Sequence, residues 1–600
     1  GIAAECVLAL AQSTGVKLAL MGRSDPAADS ELAANLDRMA QAGVTLKYVR
    51  ADVTDSDSVS AAVCEAEAEL GPITAVLHGA GTNTPQLIAS LDEPAAARTI
   101  APKVDGLSNV LDAVNGDRLK LLITFGSIIA RIGLSGEADY ALANEWQTHL
   151  TEQFAAAHPD CRCLAVESSV WSGVGMGQRL GRVDALMAQG ITPITVDQGV
   201  AALCDLIAQA DPRPVAVVVT GRFGEPPTLP VDCPDLPLLR FIEKPRVHYG
   251  GVELVVDAEL STDTDPYVAE HVYHKQPLFP AVMGLEAMVE VARVLTGREE
   301  LPVLEELQFD RPVVVPPGQT TTIRIAGLRE SDGSVRLALR SSETSFAADH
   351  FRAACRFDGA SADAPPEELA VSDGPLLPLD AQRDLYAGDL LFHQGRFQRI
   401  AGYRHLRATE CVFETSADGR SDWFGGYMPQ TLLLGDPATR DAAIHGVQAS
   451  IPHARLLPIG VDRIEVGHLA GDAVHTVHAV EQYRDDDLFV YDLYVRDAEG
   501  NIAERWRGLR LKRVDAVATA ERWPRPLLGP YLERRLQELA PEAKAAIVLC
   551  GDGEDNGSPA AARELLGPSA DLNHRLDGKP IIHDGAAVSL AHAGDLTLAV

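Results

Sequence analysis

Four polar residues in the first quarter of the sequence have the types and the order that carbonyl reduction requires. Ser127 ends the apolar run KLLITFGS, Tyr140 follows 13 residues later in GEADYALAN, and Asn144 lies one helical turn further on. A serine hydroxyl can hydrogen-bond a carbonyl oxygen, and a tyrosine can give that oxygen a proton while a hydride reaches the carbon. Because a tyrosine pKa of about 10 suits neutral pH poorly, a nearby cation should assist, and Lys103 lies upstream in APKVDG.

Residues that can contact a dinucleotide surround this set. The first residues, GIAA, have the form of the end of a GxGxxA loop, where a helix N-terminus faces pyrophosphate. An arginine that ends the next strand, Arg23, can hold an adenosine 2′-phosphate, which favours NADPH as the cofactor. Asp52 ends the following strand, and HGAG lets the backbone approach the ribose. The candidate contacts are Gly1, Arg23, Ser24, Asp52, Val53, Gly79, Ala80 and Gly81.

A second pair, His271 and Asp441, has the types needed to eliminate water. His271 lies nine residues before Pro280, just ahead of a helix with a buried apolar face, so its imidazole should be desolvated and neutral near pH 7. Such an imidazole can take a proton α to a thioester carbonyl. Asp441 is predicted in the first turn of a second helix, after a candidate N-cap at Asp436, with His445 one turn later. The helix N-terminus favours the carboxylate and apolar burial favours the acid, so Asp441 could donate a proton or orient the leaving hydroxyl.

The patterns around these residues predict several domains. Residues 1–225 alternate helices with strands, which predicts a parallel, doubly wound α/β domain of Rossmann-like type. Residues 251–515 are rich in strands around two buried helices, near 281–297 and 437–450, which predicts a duplicated α+β unit with one helix in each half. The Pro-rich segments 226–250 and 516–540 are predicted linkers, and residues 541–600 are predicted to be part of an α+β domain.

Composition excludes several classes of function. The net charge of −33, from 85 acidic and 52 basic residues in 600, argues against a nucleic-acid partner. Nine scattered cysteines without zinc-like spacing favour a reduced, cytoplasmic location and no metal site. No apolar run approaches about 18 residues, so no membrane span is expected. The chain opens without Met and ends inside an apolar run, and we therefore expect it to be a piece of a longer protein.

Residues 1 to about 222 resemble the ketoreductase domains of type I polyketide synthases. Short-chain dehydrogenases carry a Lys four residues after the Tyr, whereas these ketoreductases exchange Lys and Asn, as Asn144 and Lys103 do here. The resemblance implies that Ser127, Tyr140, Asn144 and Lys103 are catalytic. It also implies that a first strand and half of the glycine-rich loop lie ahead of Gly1, so that this chain alone should bind NADPH poorly.

The segments DPYVAEHVYHKQPLFPAVMGLEAM and GDPATRDAAIHG resemble the dehydratase domains of polyketide synthases. The family has a double-hotdog fold, with a catalytic His from the first half and an Asp from the second, which implies these roles for His271 and Asp441. Its motif has Gly four residues after the His, where this sequence has Lys275, and this departure puts the local turn in doubt. GDLLFHQGRFQR, with Tyr386 before it and Phe397 within it, resembles the tunnel-lining segment of the family.

The tail DGKPIIHDGAAVSLAHAGDLTLAV resembles the start of a phosphopantetheinyl transferase, and the alternative is a small strand-rich module. The resemblance implies that Lys579, Pro580, Ser589 and His592 contact coenzyme A. It also implies a Mg²⁺ ion whose acidic ligands would lie after Val600.

The order of reductase, dehydratase and transferase, with the motifs HGAGTNTP and VWSGVGMG, resembles iterative enediyne polyketide synthases. This implies NADPH-dependent reduction of a β-ketoacyl thioester and its dehydration to an enoyl thioester, on the way to a polyene in antibiotic biosynthesis. It also implies a phosphopantetheine-bearing acyl carrier protein, ketosynthase and acyltransferase domains, and a homodimer. The alternatives are a polyunsaturated fatty acid synthase or another iterative megasynthase, and an inactive scaffold, which would need none of the candidate residues. Chain length, final product and hydroxyl stereochemistry stay open.

Overall fold

A computed structural model describes residues 1–188, 190–209, 214–223, 228–229, 234–358, 374–387, 390–417, 422–517, 524–540, 546–549, 573–574, 580–581, 590–593 and 596–599. The chain divides into two compact units, Gly1–Val231 and Asp232–Val600.

The first unit alternates helices and strands, as the sequence predicts. Its helices are α1 Ile2–Thr14, α2 Ser30–Gln41, α3 Ser56–Leu70, α4 Glu93–Ile100, α5 Asp105–Ala113, α6 Ile129–Ile132, α7 Ala138–Ala157, α8 Met176–Arg179, α9 Val183–Ala188 and α10 Val196–Ala208. Its strands are β1 Leu18–Gly22, β2 Leu46–Arg50, β3 Ala75–His78, β4 Leu121–Ser127, β5 Arg162–Ser168 and β6 Ala216–Val219.

All described strand pairs of this unit are parallel, which is the expected doubly wound pattern. β1 pairs with β2, and β3, β4, β5 and β6 form a second sheet in that order. Successive β4 residues face opposite layers: Leu122 packs with Val59 of α3 and Leu107 of α5, and Ile123 packs with Cys6 of α1 and Leu203 of α10.

The second unit is built from antiparallel strands around two buried helices. Its first strands are β7 Lys244–Tyr249, β8 Glu253–Leu260, β9 Val272–Tyr273, β10 Gln276–Pro277, β11 Val303–Phe309, β12 Thr321–Arg329, β13 Val335–Ser341 and β14 Asp349–Arg356, with helix α11 Ala281–Thr296. Then follow β15 Ile400–Leu406, β16 Glu410–Thr415, β17 Ala454–Glu465, β18 Thr476–Asp485, β19 Leu488–Arg496 and β20 Ile502–Ala516, with helices α12 Pro437–His445 and α13 Arg525–Leu539.

One sheet of 12 strands joins the two halves of this unit. Its order is β15-β16-β18-β19-β20-β17-β11-β14-β13-β12-β8-β7, so β17 and β11 meet where six strands of the second half join six of the first. Each half contains one buried helix, α11 or α12, as expected for a double hotdog. The packing places the helices of the two halves in contact, and both helices help to form the site described below.

The structure corrects both predicted linkers. Within 226–250, Arg240 is fully buried and forms an ion pair with Asp265 at 2.6 Å, and β7 pairs with β8. Pro245 argues against a strand when the sequence is read alone. However, β7 is an edge strand, where proline is tolerated.

Within 516–540, α13 packs against the rest of the second unit through the buried side chains of Glu533 and Arg534. Glu533 accepts the N–H of Ala408 at 3.0 Å, and Arg534 donates to Glu481 at 2.8 Å. Pro526 did not prevent the helix because a proline in the first turn loses no intrahelical hydrogen bond.

In the tail, the described residues form short strands: β21 Ala546–Leu549, β22 Asn573–His574, β23 Pro580–Ile581, β24 Leu590–Ala593 and β25 Leu596–Ala599. Pro580 lies in β23 and His592 in β24, whereas Lys579 and Ser589 lie outside the described residues. None of the helices in the described part of the chain combines the length and the apolarity that crossing a bilayer requires.

Candidate active sites

The four candidate reductase residues come together in the first unit. Ser127 ends β4 and is buried, while Tyr140 and Asn144 lie one turn apart on α7, where Asn144 Nδ2 donates to the Tyr140 carbonyl at 2.6 Å. Lys103 lies between α4 and α5, and its Nζ donates to the Phe125 carbonyl at 2.9 Å. Its ammonium is 5.9 Å from the centre of the Tyr140 ring, so the predicted cation faces the predicted proton donor.

Burial sets the protonation of this site. It raises the pKa of Tyr140 to about 12, against weaker opposing hydrogen bonds from Asn144 and Ser127, so the phenol keeps its proton at neutral pH. Burial also lowers the pKa of Lys103 to about 8, which leaves the ammonium charged at neutral pH.

Gln147 is a member of this site that the sequence analysis missed. Its Oε1 accepts from Lys103 Nζ at 3.2 Å, and its Nε2 is buried without a partner. Gln147 lies seven residues after Tyr140, on the same face of α7, and this spacing could have revealed it.

The glycines of HGAG lie where larger residues would not fit. A Cβ on Gly79 would come within 2.8 Å of the Ala3 Cβ, and one on Gly81 within 3.2 Å of Lys103 Cε. Gly1 is the N-cap of α1, as the predicted loop requires. The backbone at these positions can therefore approach a ligand closely, beside the ammonium of Lys103.

The residues predicted to contact the adenosine end of a cofactor follow β1 and β2. Arg23 and Ser24 are exposed directly after β1. Asp52 Oδ1 accepts from the backbone N–H of Thr54 at 3.0 Å and from its hydroxyl at 2.8 Å, which lowers the pKa of Asp52. Val53 packs on Gly106. Arg23 is therefore an exposed cation at the carboxyl end of β1, where it could hold an anionic group of a cofactor.

In the second unit, His271 is buried in the segment that precedes α11. Its ring contacts those of Phe392, His393 and Phe397 edge-on, at 5.1 to 5.3 Å between ring centres. Burial lowers the pKa of His271 to about 4, so this imidazole is neutral near pH 7, as a base must be.

The turn after His271 forms even though it lacks the family's glycine. His274 and Lys275 join β9 to β10 with φ angles of 46° and 63°, both in the left-handed region. This conformation explains why a glycine suits position 275. His274 is exposed, hydrogen-bonds Asp515 at 3.0 Å, and is absent from the cavity described below.

Asp441 lies deeper in α12 than the sequence indicated. It is the fifth helical residue, one turn beyond the predicted first turn, because Asp436 is the N-cap and accepts from the Thr439 N–H at 2.7 Å. Asp441 Oδ2 is 3.1 Å from His445 Nδ1 and 3.2 Å from His393 Nε2. Burial alone would raise the pKa of Asp441, but these two imidazoles outweigh it and hold the pKa well below its usual range.

His393 was not singled out from the sequence, although it belongs to the segment predicted to line the tunnel. One nitrogen of His271, one of His393 and an oxygen of Asp441 lie within 4.8 Å of one another. Nitrogen and oxygen atoms at this spacing could hold a divalent metal. Without a metal, the same geometry allows the neutral imidazole of His271 and the carboxylate of Asp441 to contact the same small group of a substrate.

The three side chains line a cavity of about 70 Å³. Its wall is otherwise largely apolar and includes Leu390, Leu391, Phe392, Ile444, Leu456, Leu457, Pro458 and Leu511. Arg455 also lines it. An apolar cavity with a few polar groups at one point suits a flexible acyl chain with one reacting centre.

Buried charges hold α12 in place. Arg440 donates to Glu504 at 2.9 Å and to the carbonyl oxygens of Leu434 and Gly467. Glu286, on α11, accepts the backbone N–H groups of Leu433 and Leu434 just before α12. The position of Asp441 therefore depends on side chains from both halves of the unit.

Comparison with known families identifies both units. Residues 1–172 match the family described as KR domain. Residues 244–342 match the polyketide synthase dehydratase domain, and residues 363–521 match the polyketide synthase dehydratase N-terminal domain. The chain carries a ketoreductase and a polyketide synthase dehydratase. A Rossmann-like domain is thus followed by a double hotdog, and the matched domains support a fragment of a type I polyketide synthase.

Curated relatives match this ketoreductase–dehydratase chain over small parts of their own length. Polyketide synthase PksN of Bacillus subtilis (strain 168) is 29% identical over 192 residues, 31% of this chain and 3% of the relative. Phenolphthiocerol synthesis polyketide synthase type I Pks15/1 of Mycobacterium marinum is 31% identical over 197 residues, 32% of this chain and 9% of the relative. A polyunsaturated fatty acid synthase of Thraustochytrium sp. is 22% identical over 421 residues, 68% of this chain and 14% of the relative.

Solved structures also resemble the two units. The dehydratase domain from the CurK module of curacin polyketide synthase is 18% identical, with a TM-score of 0.37, and the match covers 47% of this chain and 100% of that one. An N-terminal ketoreductase from the macrolactin assembly line is 25% identical, with a TM-score of 0.32, and the match covers 37% of this chain and 42% of that one.

Proposed function

We propose that the chain reduces a carrier-bound β-ketoacyl thioester with NADPH and then dehydrates the β-hydroxyacyl product to an enoyl thioester. The observation that carries this proposal is the presence of two complete constellations in one chain. Lys103 faces Tyr140 beside Ser127, and His271 and Asp441 share an apolar cavity. An inactive scaffold would need neither.

In the reduction, Ser127 would hydrogen-bond the β-carbonyl oxygen and Tyr140 would protonate it, because burial keeps this phenol protonated. Lys103 would stabilise the phenolate that remains. Asn144 would hold the turn of α7 that carries Tyr140 through its hydrogen bond to the Tyr140 carbonyl, and Gln147 would hold the Lys103 ammonium by accepting its hydrogen bond. NADPH supplies the hydride when it is bound along HGAG.

Arg23 would select NADPH through its 2′-phosphate. Arg23→Ala should therefore raise the KM for NADPH by about tenfold or more, and it should leave the KM for NADH unchanged.

In the dehydration, the neutral imidazole of His271 would take the α-proton, and Asp441 would engage the β-hydroxyl on the other side of the cavity. The apolar wall would accommodate the acyl chain and keep bulk water from the reacting centre. The acyl chain would be carried on the phosphopantetheine arm of an acyl carrier protein.

We also propose the iterative enediyne type of polyketide synthase for the whole protein, with ketosynthase and acyltransferase domains, a homodimer and a polyene product. The order of ketoreductase before dehydratase supports this, as does the resemblance of the tail to a phosphopantetheinyl transferase that would use coenzyme A and Mg²⁺. A polyunsaturated fatty acid synthase is the second candidate, because the thraustochytrid relative matches 68% of the chain.

The test uses the full-length protein, with β-ketoacyl and β-hydroxyacyl thioester surrogates in separate assays. Tyr140→Phe should abolish NADPH oxidation by the ketoacyl substrate and leave dehydration of the hydroxyacyl substrate intact, and His271→Ala should do the reverse. His274→Ala is the matched control for the second site, because this exposed imidazole is three residues away and should leave both rates unchanged. Normal rates in both active-site variants would refute the assignment.

A further inference from the structure

We propose that His393 is a positioning residue that keeps Asp441 ionised, so that Asp441 accepts a hydrogen bond from the leaving hydroxyl and does not supply its proton. This inference rests on the proposed dehydration and specifies the role of one partner in it.

The hydrogen bonds that surround Asp441 run in one direction. The N–H of Ile400 donates to the Tyr386 hydroxyl at 3.2 Å, and the acceptor that the described residues offer to the Tyr386 O–H is His445 Nε2, 3.1 Å away. His445 must then carry its proton on Nδ1 and donate it to Asp441 Oδ2 at 3.1 Å. The backbone thus fixes one donor to the carboxylate through two side chains.

His393 supplies the second donor to the same oxygen. Its Nε2 is 3.2 Å from Asp441 Oδ2, and its ring is stacked on that of His445, with 3.9 Å between ring centres. Nδ1 of His393 is buried without a partner, so an imidazolium would leave a buried N–H unsatisfied. Neutral His393 therefore holds its single proton on Nε2, toward Asp441.

Two N–H donors on Oδ2 favour the carboxylate over the acid, because a hydrogen bond to a charged oxygen is stronger than one to a neutral carboxyl. Both hydrogen bonds that the described residues make to Asp441 fall on Oδ2, which leaves Oδ1 for a substrate hydroxyl. The other titratable groups near the carboxylate are His271, Tyr386 and, beyond His393, Arg455.

The proton for the departing water must then come from His271. The Cα–H bond breaks and its proton goes to the His271 imidazole, while its electron pair forms the new double bond. The Cβ–O bond breaks, and the imidazolium returns the proton to the leaving oxygen. Water departs, and His271 and Asp441 both end in their starting protonation states.

Two substitutions at position 393 separate hydrogen bonding from packing. His393→Phe keeps a ring that can stack on His445 and removes the donor, whereas His393→Gln keeps an N–H that can reach Asp441. The measurement is kcat for dehydration of a β-hydroxyacyl thioester against pH. In the wild type we expect the acid limb near the His271 pKa of about 4.

Without the donor, burial should raise the pKa of Asp441 past that of His271, so that protonation of Asp441 sets the acid limb and His393→Phe moves this limb upward by roughly one to two pH units. His393→Gln should return the limb toward the wild-type position. Three outcomes would overturn the inference: an unshifted limb in His393→Phe, a faster rate for His393→Phe at neutral pH, or equal losses in both variants at every pH. Full activity of His271→Ala would instead refute the proposed function itself.

Discussion

Replacing Lys103 with methionine should slow carbonyl reduction by about 10- to 100-fold at pH 7. The ammonium is 5.9 Å from the centre of the Tyr140 ring. With an effective dielectric constant of about 20, Coulomb's law gives about 3 kcal/mol at that distance, or about two pKa units for the phenol. A donor with a pKa that much higher is a correspondingly poorer acid toward the carbonyl oxygen.

The pH dependence follows from the same geometry. Burial lowers the pKa of Lys103 to about 8 and raises that of Tyr140 to about 12, so the lysine loses its proton first. The charge that assists catalysis is therefore present below pH 8, and kcat for reduction should fall as the pH rises through about 8.

The assay is the absorbance of NADPH with a β-ketoacyl thioester at saturating concentration, measured across this pH range. Lys103→Met should give a low rate without the alkaline limb, and Lys103→Arg should keep the rate high beyond pH 9 because a guanidinium stays protonated. An alkaline limb at the same pH in Lys103→Met would refute the reasoning, because the titrating group would then lie elsewhere.

Three further predictions concern the dehydratase. Lys275→Val should lower its stability by about 1–2 kcal/mol and Lys275→Gly should not, measured by thermal unfolding, because position 275 is left-handed; equal losses would contradict this. Glu504→Ala should cost about 3–5 kcal/mol in denaturant unfolding, because Arg440 would be left as a buried, unpaired charge; an unchanged transition would contradict this. Chelation with EDTA should leave the dehydration rate unchanged, since the imidazole and the carboxylate suffice, and a loss restored by zinc would show that His271, His393 and Asp441 bind a metal.

The architecture of both units could be predicted from the sequence because it follows from periodicity. The alternation of helices and strands in residues 1–225 indicates a parallel sheet. The two apolar helices near 281–297 and 437–450 indicate a duplicated unit. His271 and Asp441 are far apart in the chain, and the pairing of β11 with β17 joins the halves that carry them.

The features that were missed depend on contacts that periodicity does not encode. His393 belongs to an irregular segment, and its importance comes from a stack on His445 and a hydrogen bond to Asp441. Proline content made 516–540 a predicted linker, but α13 forms with Pro526 in its first turn and Pro530 in its interior, and the burial of Glu533 and Arg534 holds it in place. Asp441 was assigned to the first turn of α12, but it lies five residues after the N-cap Asp436 and therefore begins the second turn.

Mass spectrometry of a β-ketoacyl chain tethered to carrier protein tests the central claim most directly. With NADPH, the wild-type protein should add two hydrogens and then remove one water. His271→Ala should stop at the hydroxyacyl species, and Tyr140→Phe should leave the ketoacyl species unchanged but dehydrate a hydroxyacyl chain supplied in its place. Formation of the enoyl product by His271→Ala, or reduction by Tyr140→Phe at the wild-type rate, would contradict the account.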